Sequence, residues 1–340
     1  MTMSSGDRPR RPTVSDVAAE AGVSRGTVSR YLNGGHWVSP EAEAAVAAAI
    51  RKTGYRINPH ARSLATQRTN SVAFLLTESF ERLFEDPNFA RLMRGTSAAL
   101  AERDVSLVFI LAGSDVERRR ARDFITQGHV DGVLLVSSHA GEPGLIEEIH
   151  RAGVPIIACG IPLGFERKLG WVAADDATGA REMTAHLRSL GRARIATIAG
   201  PRDTSGGIQR LTGFREELGE AFDPDLVEHG DYSRRSGRAA MAALLEREPG
   251  IDAVFAANDL MAAGALAELA ERGIAVPGQI AVGGFDDAAV AAETTPTLTT
   301  MRQPFDRISQ EMVRLLLEVI AGGIPAKITL PTDLVVRDSA

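Results

Sequence analysis

The sequence predicts a small all-α helix-turn-helix unit at the N-terminus followed by a two-part α/β unit over the rest of the chain. Three observations carry this. Residues 13–33 hold two short helical patterns around a Gly turn. From Ser71 onward, short apolar runs alternate with amphipathic stretches, the pattern of parallel sheet covered by helices. Charge divides the same way. Residues 1–70 contain 10 Lys/Arg and 5 Asp/Glu and so carry +5, and since the chain totals −6, residues 71–340 carry −11. A basic head on an acidic body fits a nucleic-acid reader joined to a domain that avoids phosphate.

Thr13 is placed to cap the first helix, and Asp16 three residues on completes a capping-box pattern. Val14, Val17, Ala18 and Ala21 recur at helical spacing as one apolar stripe. Gly22 supplies the positive φ that ends this helix, and Ser24 caps the next. Val23, Val28 and Leu32 face back toward the first helix. The opposite face carries Arg25, Thr27, Ser29, Arg30 and Asn33, the donors and small groups suited to a DNA major groove. Ser39-Pro40-Glu41 opens a third helix that runs to Lys52 and stops at Gly54. Met1–Pro12 reads as a flexible arm, with or without phosphate contacts from Arg8, Arg10 and Arg11.

In the α/β part, strands are expected at Ser71–Leu76, Ser106–Leu111, Gly132–Val136 and Pro155–Cys159. A second set is expected at Trp171–Ala174, Arg194–Ala199, Ala253–Ala257 and Ile280–Gly284. Helices fall between them, near Phe89–Glu102, Val116–Gln127, Gly144–Ala152, Thr178–Leu190, Ile208–Leu218, Gly237–Glu246 and Leu260–Glu271. A helix at about Phe305–Ala321 and an extended tail, Lys327–Val336, follow.

Composition excludes several functions. The single cysteine, Cys159, lies in an apolar run and reads as a small core residue, and no Cys/His cluster suggests zinc. No apolar run reaches the ~18 residues of a membrane span, and the polar, Arg-rich N-terminus lacks a secretory h-region, so a cytoplasmic protein is expected. The chain has no Gly-x-Ser-x-Gly elbow, no Walker phosphate loop and no Gly-x-Gly-x-x-Gly after the first strand. No enzyme activity, cofactor or metal is expected.

The order Thr-Val-x-Asp-Val-Ala from Thr13, Ala-Gly-Val-Ser from Ala21, Thr-Val-Ser-Arg-x-Leu-Asn from Thr27, Gly54-Tyr55 and Asn-Pro-x-Ala-x-Ser-Leu from Asn58 closely resembles the headpiece of the lactose-repressor (LacI) and purine-repressor family. Further on, Asn258-Asp259 with Ala262 and Gly264, then Val276-Pro277 with Gly284-Phe285-Asp286-Asp287, and Leu298–Pro304, resemble segments of that family's effector domain, which has the periplasmic-binding-protein-like fold. The resemblance implies a headpiece at 13–58, a hinge helix and linker at 59–70, and an effector-binding and dimerisation domain at 71–340. Crossovers near Val172, Thr300 and Leu330 would give an N-subdomain of about 71–171 and 303–326, and a C-subdomain of about 172–302 and 327–340.

The same resemblance implies DNA contacts from Thr13, Val14, Ser24, Arg25, Gly26, Thr27, Ser29, Arg30, Asn33, Ser39, Tyr55, Asn58, Leu64 and Ala65, with Leu64 as a minor-groove wedge. It implies effector contacts from Phe89, Arg210, Tyr232, Asn258, Asp286 and Gln303. Fold logic agrees, since open α/β sheets bind ligands beyond the carboxyl ends of their strands. Carboxylates, an amide and a guanidinium converging there suit vicinal sugar hydroxyls. Asp259, Asp287 and Asp176 read instead as cap or turn residues. Glu85, Asp86 and Asn88 are either added contacts or a solvated loop, and Gly160 stands where many sugar-responsive relatives have Asp. The expectation is a homodimeric transcriptional repressor of a pseudo-palindromic operator DNA, switched by a mono- or disaccharide. A nucleobase-corepressed regulator of the purine-repressor type is the alternative.

Overall fold

The computed structural model describes residues 12–32, 37–55, 68–137, 139–140 and 143–340. The chain divides into two compact units, Met1–Thr69 and Asn70–Ala340.

In the first unit, helix α1 spans Val14–Ala21, α2 Arg25–Leu32 and α3 Pro40–Thr53. The capping box forms as the residues require: Thr13 accepts from the Asp16 amide, and Asp16 accepts from the Thr13 amide at 2.7 Å. Gly22 ends α1 at φ 65°, a left-handed conformation that glycine enters without steric cost. Ser24 caps α2 through the Thr27 amide at 3.1 Å. Val17, Val28 and Val46 are fully buried and, with Ala18, Ala49 and Tyr55, form the core. Lys52 bonds Glu20 at 2.6 Å across α3 and α1.

The second unit contains two six-stranded sheets. The first lobe holds strands β1 (Ser71–Leu76), β2 (Ser106–Leu111), β3 (Gly132–Val136), β4 (Ile156–Cys159), β5 (Gly170–Ala174) and β11 (Lys327–Leu330). They are all parallel, in the order β11-β5-β4-β3-β1-β2. Its helices are α4 (Phe80–Glu85), α5 (Pro87–Ala101), α6 (Asp115–Thr126), α7 (Pro143–Arg151) and α13 (Phe305–Ile320).

The second lobe holds β6 (Ile195–Ala199), β7 (Val227–His229), β8 (Ala253–Ala256), β9 (Ala281–Asp286), β10 (Thr299–Arg302) and β12 (Asp333–Val335). Their order is β12-β10-β9-β8-β6-β7, with only β12 antiparallel to its neighbour. Its helices are α8 (Asp176–Ser189), α9 (Ser205–Leu218), α10 (Arg234–Arg247), α11 (Asp259–Glu271) and α12 (Ala289–Glu293). In each sheet the strand order reverses direction once, between β1 and β3 and between β6 and β8, which is where such folds open a crevice.

The expected elements form within a few residues, and among the described residues short ones appear beyond them: α4, α12, β7, β10 and two 3-10 turns at Gly219–Ala221 and Pro224–Leu226. The lobe boundaries differ from expectation. Trp171–Ala174, read as opening the second set, pairs with β4 and β11 in the first sheet. The tail at 327–340, assigned whole to the second lobe, is split: β11 closes the first sheet and β12 joins the second. The chain therefore leaves the first lobe after Ala174 and again after Leu330. The reason is physical: buried parallel strands read as uniform apolar runs, so sequence locates them without saying which sheet supplies their hydrogen bonds.

Two glycines explain how α10 and α11 approach so closely. A Cβ at Gly264 would collide with the Arg234 carbonyl oxygen, and one at Gly237 with the Met261 backbone. Gly264→Ala must push backbone against backbone, so it is expected to destabilise the protein by about 1–3 kcal/mol, read as a lower urea midpoint at unchanged slope.

Candidate functional site

The carboxyl ends of both sheets border one cavity of about 880 Å³ of empty space, part of it open to solvent. The segments after β1 and β3 line it from the first lobe, and those after β6, β8 and β9 from the second.

Its floor is built around Arg210 on α9, which is 6% exposed. A buried guanidinium requires partners, and three are in place. Nε donates to Asp176 at 2.8 Å, and Nη1 donates to the Ala257 carbonyl at 2.5 Å and to Asp286 at 3.4 Å. The guanidinium also lies 3.9 Å from the Phe285 ring centroid. Burial works against its charge, but Asp176 and Asp286 more than offset this and keep it protonated. Asp286, at the end of β9, is 4% exposed and sits at φ 114°. It accepts from Gln303 Nε2 at 2.6 Å and from Asn88 Nδ2 of the first lobe at 2.8 Å. Burial raises its pKa, against the lowering effect of Arg210.

All six expected effector contacts line this cavity: Phe89, Arg210, Tyr232, Asn258, Asp286 and Gln303. Asn258 has both ends engaged. Its Oδ1 caps α11 through the Met261 amide at 2.9 Å, and its Nδ2 donates to the Tyr232 carbonyl at 3.0 Å. Asn258, rather than the expected Asp259, is therefore the cap. Asp259 instead accepts from Thr300 Oγ1 at 2.5 Å and the Ala288 amide at 2.7 Å. Asp287 binds Arg302 at 2.7 Å and Arg337 at 2.6 Å, fastening the C-terminal segment. Asp176 both pairs Arg210 and lines the cavity. Tyr232 packs against Gly200, where a Cβ would stand 2.6 Å from its ring and hydroxyl, so only glycine fits there. Cys159 also lines the cavity, and burial pushes its thiol up to about 12.

Sequence reasoning missed two groups here. Arg82 on α4 lies 5.5 Å from the Tyr232 ring centroid, across the cleft. His139, in the segment after β3, bridges the lobes: Nε2 is 3.1 Å from Glu78 and Nδ1 is 2.9 Å from Asp203. A lone His in an irregular segment and a lone Arg on a six-residue helix carry no spacing signal, so nothing in the sequence marks them.

In the first unit, Ser24, Arg25, Gly26, Ser29 and Arg30 are exposed, and Thr27 is half-buried. Arg30 Nε donates back to the Gly26 carbonyl at 3.2 Å. Thr13 and Ser39 cap α1 and α3, and Val14 packs on the core edge. Tyr55 is 8% exposed within the core, which makes it a packing residue of the three-helix unit. Asn33, Asn58, Leu64 and Ala65 lie outside the described residues.

Comparison with known proteins agrees with this architecture. Residues 13–58 match the model of bacterial regulatory proteins of the lacI family, and residues 184–340 match a periplasmic binding protein-like domain. The chain is 44% identical to the HTH-type transcriptional regulator CelR of Thermobifida fusca, over 98% of this chain and 99% of that one. The chain belongs to the LacI family. It is a DNA-binding transcriptional regulator and not an enzyme. It is also 32% identical to the regulator AscG of Escherichia coli, over 96% of this chain and 98% of that one. Among solved structures, a CelR–cellobiose complex superposes with a TM-score of 0.78 at 42% identity, covering 97% of this chain and 100% of that one. The lac repressor dimer bound to operator and an anti-inducer gives 0.84 at 26% identity, covering 97% and 99%. No helix among the described residues is long and apolar enough to cross a membrane.

The His139 bridge makes this LacI-family member's stability depend on pH. Hydrogen bonding to Glu78, with Asp203 adding to it, raises His139 from 6.5 to about 9 in the folded state. A raised folded pKa stabilises fully below 6.5 and ceases to do so as pH passes about 9. Wild type is expected to melt above His139→Gln at pH 6, with the difference shrinking toward pH 10 in paired thermal scans.

Proposed function

We propose that this protein is a homodimeric repressor whose affinity for a pseudo-palindromic operator is set by a small sugar, a disaccharide of the cellobiose kind, held between its two lobes. The observation that carries the sugar reading is the floor of the cavity. Asp286, Asp176, Gln303 and Arg210 present acceptors and donors at hydrogen-bond spacing, the arrangement that vicinal hydroxyls satisfy two at a time. The structure of CelR with cellobiose supports the same class of ligand.

DNA reading is assigned to α2. Arg25 is exposed at its start, where a guanidinium suits a bidentate pair with guanine. Gly26 supports this. Glycine costs roughly 1 kcal/mol in a helix, yet a Cβ there would meet nothing nearer than Ser24 Oγ at 3.6 Å. Packing within the unit does not require glycine there, which leaves close approach to the groove as the use for it. Homodimerisation is supported by β2, an edge strand of sequence Ser-Leu-Val-Phe-Ile-Leu that is largely unburied, with Phe109 38% exposed. An apolar edge of this kind is normally covered by another chain.

Two measurements test the proposal. Arg25→Ala is expected to weaken specific operator binding by roughly 1–3 kcal/mol and relax preference at one position per half-site. A gel-shift titration with full operator preference retained would remove Arg25 from base reading. Asp286→Asn is expected to cost ~2–5 kcal/mol of cellobiose affinity by calorimetry and to abolish the sugar's effect on operator binding. Unchanged cellobiose affinity would sink the assignment of the floor.

A further inference from the structure

Arg82 belongs to α4, at the solvent side of the cavity, where Phe80 and Phe84 on the same helix are exposed. Its Nη2 binds Asp86 at 3.2 Å, and its guanidinium sits over the Tyr232 ring of the opposite lobe. Its Nη1 is buried and meets no hydrogen-bond partner among the described residues. The Oδ1 of Asn88 is likewise buried and unpartnered, on a side chain 7% exposed. Both residues line the cavity. A buried donor and a buried acceptor left over on one cavity lining are groups that a bound ligand can complement.

Their placement extends the floor. A chain of hydrogen bonds runs from Asp286 to Asn88 at 2.8 Å, on from the Asn88 amide to Asp86 at 3.0 Å, then to Arg82. Tyr232 lies near both guanidiniums. Its hydroxyl is beside Arg210 at Gly206, and its ring is beneath Arg82. A single sugar ring held on Asp286 and Arg210 leaves Arg82 for whatever is attached to that ring. Glu78, Asp86, Asp176 and Asp286 outnumber the two arginines on the lining, which disfavours an anionic substituent and favours a neutral hydroxyl.

We infer that Arg82 is a specificity-determining residue, whose Nη1 donates to an oxygen of the second ring of a disaccharide while Nη2 stays on Asp86. This deepens the sugar reading above and rests on it. The division of labour requires the planar fork, since one ammonium cannot occupy both positions.

Calorimetry on the full chain tests this with cellobiose and glucose as probes. Arg82→Met keeps an apolar stem against Tyr232 and removes the donors, so cellobiose affinity is expected to fall about 10- to 100-fold while glucose affinity holds. Arg82→Lys keeps stem and charge, so it guards against loss of fold, and it too is expected to lose about 10-fold for cellobiose. Cellobiose binding to Arg82→Lys and Arg82→Met as to wild type would overturn the inference alone. Equal losses for glucose and cellobiose would overturn the second-ring assignment. Failure of wild type to bind cellobiose would overturn the sugar reading and this inference with it.

Discussion

The effector unit depends on one constraint: a guanidinium, Arg210, taken almost wholly out of water. An unpaired charge there would cost several kcal/mol, so the surrounding chain must supply compensation. It does so from three different elements. Asp176 comes from the start of α8, Asp286 from the end of β9, and a carbonyl from the turn after β8. Because these partners lie at the carboxyl ends of strands and the starts of helices, satisfying one buried cation also fixes the floor of the cleft. The other groups at the floor are arranged around it, with Gln303 and Asn88 completing the shell of Asp286.

The lobes meet through polar ties. Asn88 reaches Asp286, His139 joins Glu78 to Asp203, Arg82 covers Tyr232, and Arg91 donates to the Asp287 carbonyl at 3.3 Å. Each lobe keeps its own apolar cores on the two faces of its sheet. Polar ties exchange readily for ligand hydrogen bonds, whereas packed cores resist deformation. A molecule built this way can change the relation of two rigid bodies by altering few contacts, which is the physical requirement for a ligand to bias one arrangement over another.

Much of this was legible in the amino-acid sequence. The capping box at Thr13, the left-handed Gly22, the Ser24 cap and the valine stripe are local features, decided by spacing and backbone preference, and they form as read. Strands at Ser71–Leu76, Ser106–Leu111 and Gly132–Val136 are equally local in origin, because fully buried parallel strands need unbroken apolar runs. The placement of Arg210, Asp286 and Gln303 at one cavity followed from fold logic and family resemblance together.

Tertiary structure alone decided the rest. It assigned β5 and β11 to the first sheet, since strand pairing is a long-range hydrogen-bonding choice that apolar composition does not encode. It gave Asn258 a capping role on α11 within the cavity lining, and packed Tyr55 into the core of the three-helix unit. It also brought Arg82, from the short helix α4, and Glu78, His139 and Asp203, from irregular segments, to the cleft with no periodicity to announce them. Sequence spacing reports what a residue does to its own helix or strand. What it meets across 60 or more intervening residues, as with His139 and Asp203, depends on how the two sheets come to face one another.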